Sequence, residues 1–189
     1  MRVDSGLIFQ YNSSLRGEEN RMRILGVDPG SQKTGVGVID AQGNHITYVH
    51  HAMIRTGRGD FDERLHLLFA GLSEIIAAFK PDTAAIEDVF VSKNAGSALK
   101  LGQARGALIA ACGAHGLRVA PYSPTKVKQS VVGFGRAEKN QIGHMVRLLL
   151  HPPEPLPEDA ADALAVAICH AHHSPMQKLA SRTLQGDRH

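Results

Sequence analysis

The ordered pattern of this 189-residue chain begins with Arg23-Ile24-Leu25-Gly26-Val27-Asp28-Pro29-Gly30-Ser31. The first six residues are typical of a short buried strand, and the Pro-Gly-Ser sequence after them is a strong turn signal. Alternating glycine and β-branched residues follow over 34–40, and a third strand-like run covers 45–54. The fold is therefore predicted to open with three antiparallel strands.

The rest of the chain alternates helical and strand patterns. Helices are predicted at 60–79, 95–113, 124–132, 137–150 and 157–173, and strands at 83–87 and 117–122. This order predicts a three-layer α/β domain with a five-stranded mixed sheet flanked by helices. The fourth strand would pair beside the first.

We expect one folded domain over 22–173, because neither end of the chain carries a sustained pattern. Residues 1–21 are expected to be a disordered extension, and residues 174–189 a flexible basic tail. No apolar run approaches the roughly 18 residues that span a bilayer, so no membrane association is expected. Cys112 and Cys169 form no C-x-x-C pair, which favours reduced thiols and a cytoplasmic location.

The formal net charge of +3 is unevenly distributed along the chain. Residues 22–173 hold 15 Lys and Arg against 14 Asp and Glu, but the segment 118–139 holds five bases and one acid. Such a basic patch is compatible with nucleic-acid binding, but most patches of this size are simply solvated surface.

Acidic side chains stand at the ends of two predicted strands. Asp28 closes the first and Glu87 closes the fourth, although a carboxylate beside apolar strand residues is costly to bury alone. If these strands are neighbours, both carboxylates lie at one edge of the sheet.

More acids open the last predicted helix. Asp159 and Asp162 are three residues apart and share a helix face, and Glu158 could replace or assist Asp159. Acids in a first turn often only complement the helix dipole. Four convergent carboxylates, however, suit two Mg²⁺ or Mn²⁺ ions, which prefer oxygen ligands and support phosphodiester cleavage.

The chain resembles the RuvC family of bacterial Holliday-junction resolvases in five successive motifs. They lie at 24–31, 86–90, 93–106, 127–133 and 159–165. The resemblance implies a ribonuclease H-like fold and a homodimer on a four-way DNA junction. It also implies symmetric, metal-dependent nicking of two strands, with branch-migration partners RuvA and RuvB. Asp28, Glu87, Asp159 and Asp162 match the family's metal-binding catalytic acids.

The resemblance also indicates DNA-binding residues. Phe90 matches a phenylalanine that stacks on bases at the crossover, although a strand-end aromatic is more often a core residue. The basic candidates, each of which could also be a solvated surface cation, are Lys93, Lys128, Arg136 and Lys139. The small-residue helix at 95–113 matches the family's dimer interface.

Two other functions remain open from the sequence. A non-catalytic junction-binding module could share this fold, although all four acids are present. The Asp28 turn also resembles the phosphate-binding hairpin of actin-like phosphotransferases, which need two lobes and a second hairpin that this chain lacks. The three histidines near the end of the last helix are expected to complement its dipole.

Overall fold

The computed structural model describes residues 21–89, 94–133 and 139–174. Within these ranges the strands are β1 (Met22–Asp28), β2 (Lys33–Gln42), β3 (His45–Arg55), β4 (Thr83–Glu87) and β5 (Val119–Tyr122). The helices are α1 (Phe61–Phe79), α2 (Ala95–Ala114), α3 (Pro124–Val132), α4 (Lys139–Leu150) and α5 (Glu158–His173).

The five strands form one mixed sheet in the order β3-β2-β1-β4-β5. The first three pair antiparallel, whereas β4 runs parallel to β1 and β5 runs parallel to β4. Parallel neighbours need a crossover connection, which α1 provides before β4 and α2 provides before β5. The predicted mixed sheet and the pairing of the fourth strand beside the first are confirmed.

Alternate residues of each strand enter two separate cores, because successive side chains point to opposite faces. Leu25 of β1 packs with Leu68 of α1 and Leu108 of α2 on one face. Ile24 packs on the other face with Ile168 of α5 and with α3 and α4. The predicted three-layer α/β architecture is confirmed.

Helix α5 approaches the sheet closely because glycines line the strands beneath it. A Cβ atom on Gly37 would lie 2.8 Å from the Leu164 side chain, and one on Gly26 would overlap the Ala163 carbonyl oxygen. From Ala160 onward α5 is buried almost throughout. Its position on β1 and β2 is therefore fixed by backbone-to-backbone contact.

Several predicted element boundaries differ from the observed ones by one or two residues, and two of these differences have a local cause. The last strand starts at Val119 and not at 117, because the Leu117 amide still donates to the Cys112 carbonyl at the end of α2. Pro157, predicted inside the last helix, is its N-cap, with an extended backbone.

The chain ends of the domain also carry contacts. Ser174, which the sequence placed in the tail, is buried, with its hydroxyl 3.8 Å from the Met22 sulfur. Arg21 pairs with Asp40 at 3.5 Å. Nearly all of the expected extension and tail lies outside the described residues. Within the described ranges, no helix is both long and apolar enough to cross a membrane.

His170 departs from the dipole role expected of it. Its ring is 6% exposed, with Nδ1 3.0 Å from the Tyr122 hydroxyl and Nε2 3.4 Å from the Thr83 hydroxyl. Burial lowers the pKa of His170, so its ring is held neutral in the core. The expectation is wrong for this residue, while His172 and His173 are exposed at the helix end.

Candidate active site at the carboxyl end of the central strands

Asp28 and Glu87 lie side by side at one edge of the sheet. β1 and β4 are parallel neighbours in which Val27 pairs with Ile86, so the next residue of each strand is the acid. Each acid lies two residues beyond a position on the face that α5 covers, so both carboxylates belong to that face. Both residues are half-buried. The predicted juxtaposition of these two acids is thus present in the backbone pairing.

The first turn of α5 lies over the same edge. Gly35 pairs with Asp28 across β1 and β2, and a Cβ atom on Gly35 would overlap the Asp159 carbonyl oxygen. One turn further on, the helix rests on Gly26, which is two residues before Asp28 in β1. The first turn of α5, which carries Asp159 and Asp162, therefore lies at the end of β1.

Burial distinguishes the acids of this first turn. Glu158 is exposed, whereas Asp159 and Asp162 are half-buried. Asp162 also interrupts an otherwise continuous run of buried residues from Ala160 to Ala171. The placement favours Asp159 over Glu158 as the partner of Asp162.

The donor chemistry of this edge suits a hard divalent cation, because Asp28, Glu87, Asp159 and Asp162 offer carboxylate oxygens only. Over 21–89, 94–133 and 139–174, no three His, Cys, Asp or Glu side chains are gathered in metal-binding geometry. The structure thus shows a common edge and face for the four acids rather than a set of ligand distances.

Two side chains that sequence reasoning missed hold the turn after Asp28 in place. Thr34, fully buried, accepts from the Gly30 amide at 3.1 Å and donates to the Gly30 carbonyl at 2.9 Å. Arg64 of α1 donates to the Ser31 carbonyl and, at 3.3 Å, to the Thr56 hydroxyl. The turn that follows Asp28 is therefore held from the opposite helical layer.

A second arginine holds the chain after Glu87. Arg105 of α2 donates to the Glu87 carbonyl at 3.2 Å and to the Asp88 carboxylate at 2.7 Å. Arg105 belongs to the third of the motifs quoted above, but periodicity assigns it no role. Its one sequence signal is its place in that motif, because its partners lie at the end of β4.

The structure places some of the predicted DNA-binding residues. Lys128 is half-buried on α3, a helix that begins directly after β5, where Tyr122 pairs with Glu87. Lys139 is the first residue of α4, and its side chain lies outside the description. Phe90, Lys93 and Arg136 lie outside the described residues.

The exposed face of α2 has the composition expected of a helix contact. Leu99 is 66% exposed, and a Cβ atom on Gly102 or Gly106 would meet nothing within 4 Å. Small residues allow a second helix to approach closely. This face is uncovered in a single chain.

Comparison with known proteins finds one family over most of the chain. The sequence model for "crossover junction endodeoxyribonuclease RuvC" matches residues 24–170. A curated relative of that name from Geobacter sp. (strain M21) is 57% identical over 159 residues, covering 84% of this chain and 97% of the relative.

Solved structures resemble the fold as well. T. thermophilus RuvC in complex with a Holliday junction substrate superposes with a TM-score of 0.76 at 34% identity, covering 82% of this chain and 96% of that one. The yeast mitochondrial Holliday junction resolvase Ydc2 superposes with a TM-score of 0.60 at 15% identity, covering 87% of this chain and 86% of that one. At that identity the likeness concerns the ribonuclease H-like fold alone.

Proposed function

The chain belongs to the RuvC family of crossover junction endodeoxyribonucleases, and on that premise we propose that Asp28, Glu87, Asp159 and Asp162 are its catalytic acids. It is an endonuclease that resolves Holliday junctions in DNA recombination and repair. The observation that supports this site is that the ends of β1 and β4 and the start of α5 lie at one edge of the sheet. Family membership supports an enzymatic function. It does not favour a non-catalytic binding module or a phosphotransferase fragment.

The proposal assigns two Mg²⁺ or Mn²⁺ ions to the four carboxylates. Bound there, such ions would activate a water molecule and stabilise the leaving oxygen during in-line displacement at phosphorus. Asp28 and Glu87 would bind from the sheet, and Asp159 and Asp162 from the helix. Because α5 rests on Gly35 and Gly26, its backbone cannot move away from this edge without unpacking the core.

Basic and aromatic residues are proposed to bind the DNA around this edge. Lys128 and Lys139 would neutralise backbone phosphates, and one of them would stabilise the charge that develops at the scissile phosphate. Lys93 and Arg136 are proposed as further phosphate contacts. Phe90 would stack on a base at the crossover.

A homodimer is proposed because the described residues of one chain form one acidic edge, whereas resolution requires two nicks. A two-fold dimer would present two such edges to a junction of matching symmetry. The uncovered face of α2, which includes the exposed Leu99, is the proposed contact. RuvA and RuvB are proposed partners on the family relationship alone. A cytoplasmic location is proposed, supported by Cys112 and Cys169, both free and buried thiols.

Junction cleavage by the wild-type protein and Asp28→Asn tests this function. A synthetic four-way junction and a linear duplex of the same sequence would be incubated with Mg²⁺ or Mn²⁺, and the products mapped on a denaturing gel. We expect paired, symmetric nicks in the junction only, and none with Asp28→Asn although it still binds. A wild-type protein that binds without cutting in either metal would contradict the proposal, as would a variant that still nicks.

A further inference from the structure

Arg105 reaches the end of β4 from the helical layer opposite α5. Its helix, α2, packs through Leu108 on the sheet face that carries Leu25, whereas Asp28 and Glu87 belong to the face that α5 covers. The guanidinium Nε donates to the Glu87 carbonyl at 3.2 Å, and Nη2 donates to the Asp88 carboxylate at 2.7 Å. One planar group therefore contacts both residues of the peptide bond at which the strand ends.

This peptide bond is restrained from β5 as well. The Asp88 amide donates to the Tyr122 carbonyl at 2.8 Å, and Glu87 is the last residue of β4 in register with Tyr122. The amide contact and the Arg105 contact together fix the peptide plane between Glu87 and Asp88. Fixing that plane fixes the direction in which the Glu87 side chain leaves the backbone.

We propose that Arg105 is a positioning residue, which holds the Glu87-Asp88 peptide so that the Glu87 carboxylate stays on the α5 face beside Asp28. The inference rests on the proposed function of these acids. Groups that orient a metal ligand typically change metal affinity or activity about 10–100-fold when they are removed. Loss of Arg105 would leave this peptide held by the Tyr122 contact alone, and the looser Glu87 carboxylate would bind a cation more weakly.

An ordinary surface ion pair is the competing explanation for these contacts. Arg105 is 22% exposed and Asp88 is 43% exposed, and exposed pairs contribute little to stability. The two explanations differ in which Arg105 contact is required. A surface pair depends on the Asp88 carboxylate, whereas positioning depends also on the hydrogen bond to the Glu87 carbonyl.

The chain contains a matched control for the loss of an arginine. Arg23 makes the same kinds of contact, with Nε 2.8 Å from Asp40 and Nη1 2.9 Å from the Phe79 carbonyl. It lies five residues before Asp28 in β1, about 16 Å away along an extended strand. Arg23→Gln therefore measures the general cost of removing such contacts far from the acidic edge.

The test compares Arg105→Gln, Arg105→Lys, Asp88→Asn and Arg23→Gln with the wild type. Binding of Mn²⁺ to the DNA-free protein would be followed by the loss of the free-ion EPR signal, and folding by circular dichroism. Single-turnover nicking of a saturating junction would be measured as a function of Mn²⁺ concentration. The EPR titration reports cation binding without relying on catalysis.

We expect Arg105→Gln to weaken Mn²⁺ binding about 10–100-fold and to shift the Mn²⁺ dependence of nicking by a similar factor. Arg105→Lys keeps the charge but not the fork of donors, so it should resemble Arg105→Gln. Asp88→Asn keeps the Glu87 hydrogen bond and should have a smaller effect. Arg23→Gln should leave Mn²⁺ binding at the wild-type value.

Wild-type Mn²⁺ binding by folded Arg105→Gln would overturn the proposal, as would an equal effect from Arg23→Gln. If Arg105→Gln does not fold, wild-type binding by Arg105→Lys overturns it in the same way. An Asp88→Asn effect as large as that of Arg105→Gln would overturn the role assigned to the Glu87 hydrogen bond, because the Asp88 contact alone would then account for the loss. Failure of the proposed catalytic site is distinguishable, because then Asp28→Asn would nick like the wild type.

Discussion

Replacing Gly35 by alanine is expected to impair nicking more than folding. The new Cβ atom overlaps the Asp159 carbonyl oxygen, which must retreat by more than about 1 Å to reach ordinary contact. Overpacking of this kind costs about 1–3 kcal/mol, or about 2–12 °C in Tm for a domain of this size. A displacement of about 1 Å at a catalytic group costs about 100-fold in rate.

The assay is single-turnover nicking of a four-way junction at 25 °C, with the Tm and the junction Kd measured on the same preparation. We expect the rate to fall about 100-fold while the Kd changes little, because Gly35 is buried beneath the first turn of α5. Gly143→Ala in α4 is the control, since a Cβ there would meet only the flexible end of the Arg147 side chain, at 3.2 Å, and alanine favours the helix. It should raise the Tm slightly and leave nicking unchanged. If Gly35→Ala keeps the wild-type Tm and nicking rate, close packing of α5 on the sheet does not position its acids.

Three further predictions concern the acids, the buried histidine and the exposed helix. Asp159→Asn should reduce nicking at least about 100-fold, whereas Glu158→Gln should change it less than about 3-fold, because Glu158 is exposed and Asp159 is half-buried. Equal losses in the two variants would contradict the assignment. The lowered pKa of His170 means that the unfolded chain binds its proton first, so the free energy of unfolding should fall as the pH drops below about 6.5. Urea denaturation between pH 7.5 and 5 should show that dependence in the wild type and a weaker one in His170→Gln; identical curves would argue against it. Leu99→Glu should convert a dimer to a monomer in sedimentation velocity, because it places a charge on the uncovered face of α2. A dimer that persists unchanged would place the contact elsewhere.

Local patterns were sufficient to predict the elements and the candidate acids. The apolar run before Asp28 and the turn after it mark the end of a strand, and the same logic applies at Glu87. Proline at 157 and the acids behind it mark the start of a helix. These signals depend on neighbouring residues, which is why element positions agree with the structure to within a few residues.

Contacts between distant segments could not be predicted in this way. From the sequence, Gly35 is simply a glycine within a strand. Only the packed structure shows that a side chain there would collide with the Asp159 carbonyl of α5. Arg105 of α2 contacts residues 17 and 18 positions earlier in the chain, at the end of β4. The hydrogen-bond partners of His170 come from β4 and β5, and the helical pattern around His170 gives no sign of them.

The most direct test of the proposed catalytic centre is to locate Mn²⁺ in crystals. Anomalous difference maps would be collected from the wild-type protein grown with Mn²⁺ and a cleavage-resistant four-way junction. We predict anomalous peaks at the shared edge of β1, β4 and α5, with Asp28 and Glu87 oxygens within about 2.0–2.3 Å of a peak. Peaks confined to another part of the molecule would contradict the assignment of these carboxylates.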